Sequence, residues 1–192
     1  MLNSTALRYR TYDLSFDCAQ DPDLQLTTYD LQLTTYNLRL TTYNLPMQQT
    51  FHISTDKSRL DIPMIHRFLS EEAYWCKGIP LETVRRSIEN SLCFGVFDGE
   101  NQVGFARVIT DYATIAYLGD VFILPDYRSQ GLSKMLMTEV MGHPDLLGLR
   151  RWILLTGDAH GLYRQFGWTD IASPDRWMEL HDARVYTVDG GR

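Results

Sequence analysis

The chain has 192 residues, of which 44% are hydrophobic and 12% aromatic, and this composition excludes a wholly disordered protein. Its net charge of −6 argues against nucleic acid or an anionic membrane surface as the main partner. Cys18, Cys76 and Cys93 lie far apart, so they predict a reduced, cytoplasmic chain with neither a disulfide framework nor a metal site. The sequence contains no apolar run long enough for a membrane span and no recognisable signal peptide.

Residues 1–46 differ from the rest because a seven-residue segment occurs three times in them. The copies begin at Leu24, Leu31 and Leu38, and each reads Leu-x-Leu-Thr-Thr-Tyr followed by Asp or Asn. The period is compatible with a coiled coil, although threonine is a poor helix former, and also with a β-prone strand whose edge needs covering. We favour a third interpretation, a translated nucleotide repeat. Residues 1–46 are then a mis-called start or a dispensable, disordered arm, and residues 47–192 form the single domain.

Within this domain, the spacing of apolar residues predicts two helices, then an antiparallel meander, then a strand–helix–strand unit. In chain order we predict an edge strand over 50–53, helices over 62–69 and 81–88, a hairpin over 92–110, a strand over 115–124, a helix over 131–141, a strand over 152–155, a short helix over 161–166 and one or two strands in the tail. This order predicts an α/β domain with a mixed sheet in which only the central unit is parallel.

The most informative stretch joins the strand that ends near Leu124 to the following helix. Its loop holds a cation, Arg128, a glycine, Gly131, and a small residue where the helix opens. The first turn of a helix leaves N–H groups unpaired, its dipole attracts negative charge, and glycine lets a ligand come close to the backbone. The loop therefore predicts an anion cradle suited to a pyrophosphate. It matches neither the Walker A motif nor the dinucleotide-binding motif with three glycines.

Residues 121–133 resemble the acetyl-CoA loop of the GNAT superfamily of N-acetyltransferases, in which a strand is followed by Gln/Arg-x-x-Gly-x-Gly/Ala. Arg128 and Gly131 match this pattern, and Ser133 takes the place of the last small residue. Residues 156–168 are similar to a second family element, Asn-x-x-Ala-x-x-Leu-Tyr-x-x-x-Gly-Phe. The matching residues there are Ala159, Leu162, Tyr163 and Gly167, while Thr156 replaces Asn and Trp168 replaces Phe.

This resemblance covers residues 50 to about 180. It implies a mixed, mostly antiparallel sheet with a central parallel strand–helix–strand unit and flanking helices. It also implies transfer of an acetyl group from acetyl-CoA to the amine of a small molecule or peptide. The implied cofactor contacts are a strand edge and the N–H groups of a loop and helix start, namely Val121, Phe122, Ile123, Arg128, Ser129, Gln130, Gly131, Leu132 and Ser133.

Two side chains are predicted to be catalytic, each beside a plainer alternative. Tyr163 would protonate the departing thiolate, or it would only pack beside Phe166 on its helix. Asp120 would accept the amine proton, directly or through water, or it would be a solvated or structurally bonded carboxylate. We place Asp120 on one strand face with Leu118 and Phe122, by the two-residue period of a strand. His160 is a second candidate base, although a loop histidine is more often exposed to solvent.

The acceptor site is predicted between the first two helices, where the resembling family usually builds it. Glu71, Glu72 and Trp75 lie there, and carboxylates and aromatic rings suit a cationic amine, although an ordinary solvated loop is the alternative. Two other functions stay open. One is a non-catalytic acyl-CoA-binding regulatory module, and the other is an assembly role in which the repeat arm joins two domains as a homodimer. The presence of Arg128, Gly131 and Tyr163 favours the enzyme.

Overall fold

The computed structural model describes residues 51–186, and the predicted arm lies outside them. Within these residues, five strands form one sheet in the order in which they occur in the chain. They are β1 (Phe51–Ser54), β2 (Leu92–Asp98), β3 (Asn101–Thr110), β4 (Ile115–Ile123) and β5 (Arg151–Ile153). Neighbouring strands are antiparallel except β4 and β5, which are parallel. The predicted mixed, mostly antiparallel sheet with one parallel unit is confirmed.

Helices cover both faces of this sheet. In the described part of the chain the α-helices are α1 (Ile62–Arg67), α2 (Leu81–Glu89), α3 (Leu132–Gly142) and α4 (His160–Arg164). A π-helical turn, Phe68–Glu72, continues α1. The carboxylate of Asp61 begins α1 by accepting the Met64 N–H at 2.9 Å, as expected of an N-cap aspartate. None of the helices in residues 51–186 is both long and apolar enough to cross a membrane.

Each face of the sheet has its own hydrophobic core. On one face, the buried residues of α1 and α2 pack with Phe105 and Phe122, and the rings of Phe68 and Phe122 stack with their centroids 3.9 Å apart. On the other face, Leu136 and Val140 of α3 pack against Phe94 and neighbouring strand residues. Residues 51–186 therefore form a three-layer α/β structure in which β4 lies between the two cores.

The tail differs from the prediction. We predict one or two strands there, but residues 154–186 form α4, a 3-10 turn at Pro174–Arg176 and irregular segments, with no strand. Met178 and Leu180 are almost fully exposed, so no sheet face buries these apolar side chains. A strand is stabilised mainly by pairing and by burial of one face, and this segment has neither within residues 51–186.

An irregularity in β4 shapes the centre of the sheet. Phe105 pairs with Phe122 and Arg107 with Gly119, so on β3 a single residue faces both Asp120 and Val121. This is a β-bulge, which bends a strand and increases its twist. Beyond the bulge β4 separates from β5, whose pairing with β4 covers only Ile115 to Tyr117. The rest of that β4 edge has no strand neighbour within residues 51–186.

Candidate active site

The open edge of β4 carries main-chain groups that no other strand of residues 51–186 pairs with. The N–H of Leu124 donates to the Val103 carbonyl of β3 at 2.8 Å. Because main-chain groups along a strand point alternately to its two sides, Ile123 and Val121 face the open edge. The Ile123 carbonyl on this edge accepts a hydrogen bond from the Arg128 Nε at 3.0 Å. An extended, amide-containing chain could pair with this edge as an added strand would.

The loop after β4 leads directly from this edge to the start of α3. Gly131 is the N-cap of α3 with φ +81°, and it has no side chain to accept the N–H groups of the first turn. The N–H groups of Lys134 and Met135 bond to the Gly131 carbonyl at 3.0 and 3.1 Å. Within residues 51–186, those of Leu132 and Ser133 have no intramolecular acceptor. A Cβ at Gly131 would meet no atom within 4 Å, so a ligand can approach the backbone.

The predicted cofactor residues therefore lie together along one path. Val121 and Ile123 present the strand edge, while the Phe122 ring is buried in the core beneath α1 and fixes the strand. Arg128 uses its Nε to tie the loop to β4, and its Nη groups have no partner in the described part of the chain. Ser129 and Gln130 are exposed, whereas Leu132 buries its side chain and offers only its N–H. An open strand edge followed by an uncapped helix start suits an amide-containing arm that ends in a pyrophosphate.

Tyr163, predicted as the acid, lies on α4 with 8% of its surface exposed. Its ring packs against Trp168 at a centroid distance of 6.0 Å. Its hydroxyl has no hydrogen-bond partner among residues 51–186. Burial, followed by the influence of Asp158, Tyr74 and Tyr117, raises the pKa of Tyr163 to about 12. The phenol is therefore protonated at neutral pH and is available as a proton donor.

The residues that influence Tyr163 include one that sequence reasoning missed, Tyr117. This tyrosine lies on β4 at the last pair with β5, opposite Ile153. Burial and the nearby Asp120 raise the pKa of Tyr117, while Arg107 opposes them. Tyr117 belongs to no motif, and in an apolar strand it is indistinguishable from an ordinary packing residue. The point where β4 and β5 separate is thus bordered by phenols.

Asp120, predicted as the proton acceptor, occupies the bulge itself. Its φ is +54°, in the left-handed region that costs a non-glycine residue about 1–3 kcal/mol. Oδ2 accepts from the Arg107 Nε at 2.7 Å, and Oδ1 accepts from the Trp75 Nε1 at 3.2 Å. Only 12% of the Asp120 side chain and 16% of the Arg107 side chain are exposed. Sequence reasoning missed Arg107, because no spacing rule joins it to Asp120.

The bulge also corrects the predicted strand face. We expect Leu118, Asp120 and Phe122 on one face by simple alternation, but Leu118 belongs to the core under α3 and Phe122 to the core under α1 and α2. The extra residue in the bulge shifts the alternation by one position, so the residues on its two sides face opposite cores. Asp120 consequently points toward the segment between α1 and α2.

That segment contains the predicted acceptor residues, of which Trp75 contacts Asp120 whereas Glu71 and Glu72 are exposed. Trp75 contacts Asp120 and meets the Tyr74 ring edge to face at a centroid distance of 5.0 Å. The Tyr74 hydroxyl in turn accepts the Gly157 N–H at 2.9 Å. Glu71 and Glu72 are exposed on the π-helical turn, and their side chains make no hydrogen bond or ion pair with another residue of 51–186. His160 is also exposed, at the first position of α4.

Comparison with known proteins identifies the family of this fold and site. The model of the acetyltransferase (GNAT) family matches residues 62–168, more than half of the chain. A Gibberella zeae protein named as an acetyltransferase is 31% identical over an alignment of 157 residues. The match covers 69% of this chain and 87% of that protein.

Solved structures agree with this match. The crystal structure of a GNAT-family protein from Xanthomonas campestris pv. campestris is 55% identical with a TM-score of 0.71, and the match covers 72% of this chain and 98% of that one. A Clostridium acetobutylicum structure described with acetyl-CoA shares the fold, with 14% identity, a TM-score of 0.51 and coverage of 69% and 95%. The chain therefore belongs to the GNAT family of acetyltransferases, and it is an acyltransferase.

Proposed function

We propose that this acetyltransferase uses acetyl-CoA and moves the acetyl group to the amine of a small molecule or peptide. The observation that carries the proposal is the continuous path from the open edge of β4 to the uncapped start of α3 at Gly131. A pantetheine-like arm fits the open strand edge, and the pyrophosphate that follows it fits the start of the helix. The Clostridium acetobutylicum protein described with acetyl-CoA has the same fold.

In this proposal the cofactor is held largely by main-chain groups. Val121 and Ile123 pair with the extended arm, and Phe122 keeps the strand in place by its buried ring. The N–H groups of residues 129–133 bind the pyrophosphate, and the Arg128 guanidinium adds a positive charge beside it. Acetyl-CoA bound there supplies an activated thioester to the point where β4 and β5 separate.

Tyr163 and Asp120 divide the proton transfers between them. Tyr163 holds its proton on the phenol oxygen, because its pKa of about 12 lies far above neutral pH, and donates it to the departing sulfur. Asp120 accepts the proton of the attacking amine, directly or through one water. Each of its oxygens already accepts one hydrogen bond, and a carboxylate oxygen has a second lone pair for this step.

The acceptor is proposed to lie against the segment between α1 and α2. Trp75 is 43% exposed and offers an aromatic face beside Asp120. Glu71 and Glu72 add solvated negative charge on the preceding turn. Aromatic faces and carboxylates attract ammonium groups, which favours an acceptor that is a cation before it reacts.

A cytoplasmic location is part of the proposal. Cys76 and Cys93 are both free and buried, as expected of a chain that works in a reducing compartment. A homodimer through the repeat arm stays a prediction from the sequence, because residues 1–46 lie outside the described residues.

The proposal is tested in two steps on the full chain. Acetyl-CoA at about 1 mM should raise the thermal midpoint, because a ligand that binds only the native state stabilises it. A panel of amines and peptides is then screened with acetyl-CoA, with release of the free thiol as the readout. Absence of a thermal shift would contradict the cofactor assignment. A shift without thiol release for any acceptor would favour the acyl-CoA-binding module instead.

A further inference from the structure

The strained position of Asp120 needs partners that hold it. A residue with φ +54° in the middle of a strand persists only when its surroundings fix it. Asp120 is not a glycine, so its own backbone does not favour this conformation. The conformation is held instead by the two hydrogen bonds of the Asp120 carboxylate, and both donors lie on other elements of the fold.

Arg107 makes the shorter of these two contacts. It lies on β3 directly opposite Gly119, and its Nε donates to Asp120 Oδ2 at 2.7 Å. Its Nη1 donates to the hydroxyl of Ser91 at 3.2 Å, and Ser91 is only 7% exposed. The guanidinium is therefore fixed at both ends, to the segment before β2 and to the bulge of β4.

Trp75 extends this network over the open part of the sheet. Its indole N–H reaches Asp120 on β4, while the neighbouring Tyr74 accepts the N–H of Gly157, which follows β5. The segment between α1 and α2 is thus attached to both strands on either side of the gap. A chain of contacts runs from Ser91 through Arg107 and Asp120 to this segment.

We propose that Arg107 is a positioning residue for acetyl transfer, which acts through Asp120 to hold the β4 bulge and the Trp75 indole in one arrangement. Loss of the guanidinium would release a strained carboxylate, and the Trp75 indole on the acceptor side would lose its anchor. The kinetic consequence rests on the proposed function. The structural consequence, displacement of Trp75, does not.

The test compares Arg107→Met and Arg107→Lys with Arg59→Met in the full chain. Arg59 is the matched control, because its Nη2 pairs with Glu100 at 3.5 Å and its guanidinium lies over the Phe97 ring, away from the bulge. The first readout is the NMR signal of the four tryptophan indole N–H groups, in which Trp75 is assigned with Trp75→Phe. The second is kcat and KM for acetyl-CoA and for the amine that the acceptor screen identifies.

Arg107→Met should move the Trp75 signal and leave the other three indole signals in place. It should lower kcat by about 10- to 100-fold, the range expected when reacting groups are displaced by up to about 1 Å, and change the KM for acetyl-CoA little. Arg107→Lys should restore part of the Trp75 signal position and part of kcat, because an ammonium keeps the charge but lacks the planar guanidinium. Arg59→Met should leave the Trp75 signal and kcat unchanged.

Three results would overturn the proposal: an unmoved Trp75 signal, a normal kcat for Arg107→Met, or an equal loss for Arg59→Met. If Arg107→Met does not fold, Arg107→Lys and Asp120→Asn carry the test, and each must displace the Trp75 signal. If the wild-type chain transfers no acetyl group, the proposed function fails, and the indole signal alone then decides the role of Arg107.

Discussion

In the proposed function, the part of the site on one side of the β4 bulge consists of main-chain groups, and the part on the other side consists of side chains. The proposed cofactor side is the open strand edge and the start of α3, where Gly131 contributes by having no side chain. The proposed acceptor side is formed by Asp120 together with Arg107 and Trp75, which each donate a hydrogen bond to its carboxylate. Tyr163, the proposed acid, is influenced by Tyr74 and by Tyr117, which lies at the last β4–β5 pair.

This difference predicts two kinds of response to substitution. A site made of N–H groups tolerates most side-chain changes, and it fails when a change alters the backbone or adds the wrong charge. A site made of side chains fails when a single polar atom is removed. The predictions below use this contrast, from the largest expected effect to the smallest.

Gly131→Asp should abolish acetyl-CoA binding, because it places a carboxylate where the proposal places a pyrophosphate. Gly148→Asp is a matched control. Gly148 has φ +77° against +81° at Gly131, and at both glycines a Cβ would meet no atom within 4 Å. The two variants therefore carry similar backbone strain and the same charge, and a thermal shift with acetyl-CoA should be lost only in Gly131→Asp. Equal loss in both variants would assign the effect to strain.

Tyr163→Phe should lower kcat by about 10²-fold, the low end for a positioned general acid. KM for the amine should change little, because the lost hydrogen bond forms only as the sulfur gains charge. The thermal midpoint should also hold, since the hydroxyl has no hydrogen-bond partner within residues 51–186. Tyr112→Phe, on an exposed tyrosine that is not among the residues that influence Tyr163, serves as the control in the same steady-state assay. Unchanged turnover would remove Tyr163 from the mechanism.

The same variant should change the pH dependence of stability. Burial raises the pKa of Tyr163 from 10 to about 12, so above pH 10 the unfolded chain loses this proton before the folded chain does. The stabilisation from a protonated, buried Tyr163 is therefore complete below pH 10 and is lost as the pH rises toward 12. Denaturant unfolding should show a constant free-energy difference between wild type and Tyr163→Phe below pH 10. Above pH 10, the free energy of unfolding of the wild type should fall relative to that of Tyr163→Phe. A difference that stays constant at every pH would contradict the raised pKa of Tyr163.

Removal of residues 1–46 should have the smallest effect. The paired threonines of the repeat are poor helix formers, and the proposed site uses only residues of the domain. We expect unchanged folding and unchanged acetyl-CoA affinity in the shortened chain. Sedimentation of the full and the shortened chain measures their oligomeric states. A change from oligomer to monomer on deletion would contradict the prediction and support the coiled-coil interpretation.

The contrast between the two sides also explains how much the sequence could predict. The cofactor side is contiguous over residues 121–133, so a strand, a loop cation and a glycine before a helix indicate it without knowledge of the fold. The acceptor side joins Trp75, Arg107 and Asp120, which are separated by up to 45 positions, and only the tertiary structure brings them together. The bulge defeats simple alternation at Asp120, because one extra residue reverses the strand faces on its two sides. The predicted strands of the tail are wrong for a different reason, since residues 154–186 find no partner strand within residues 51–186.

The central claim is that acetyl-CoA binds along the open β4 edge and the start of α3. Titration of the ¹⁵N-labelled full chain with acetyl-CoA, followed through the backbone amide signals, tests it most directly. We predict the largest shifts at Val121, at Ile123 and at residues 129–133, with no comparable change at Gly148. Shifts centred on another part of the domain, with the signals of residues 129–133 unmoved, would contradict the account.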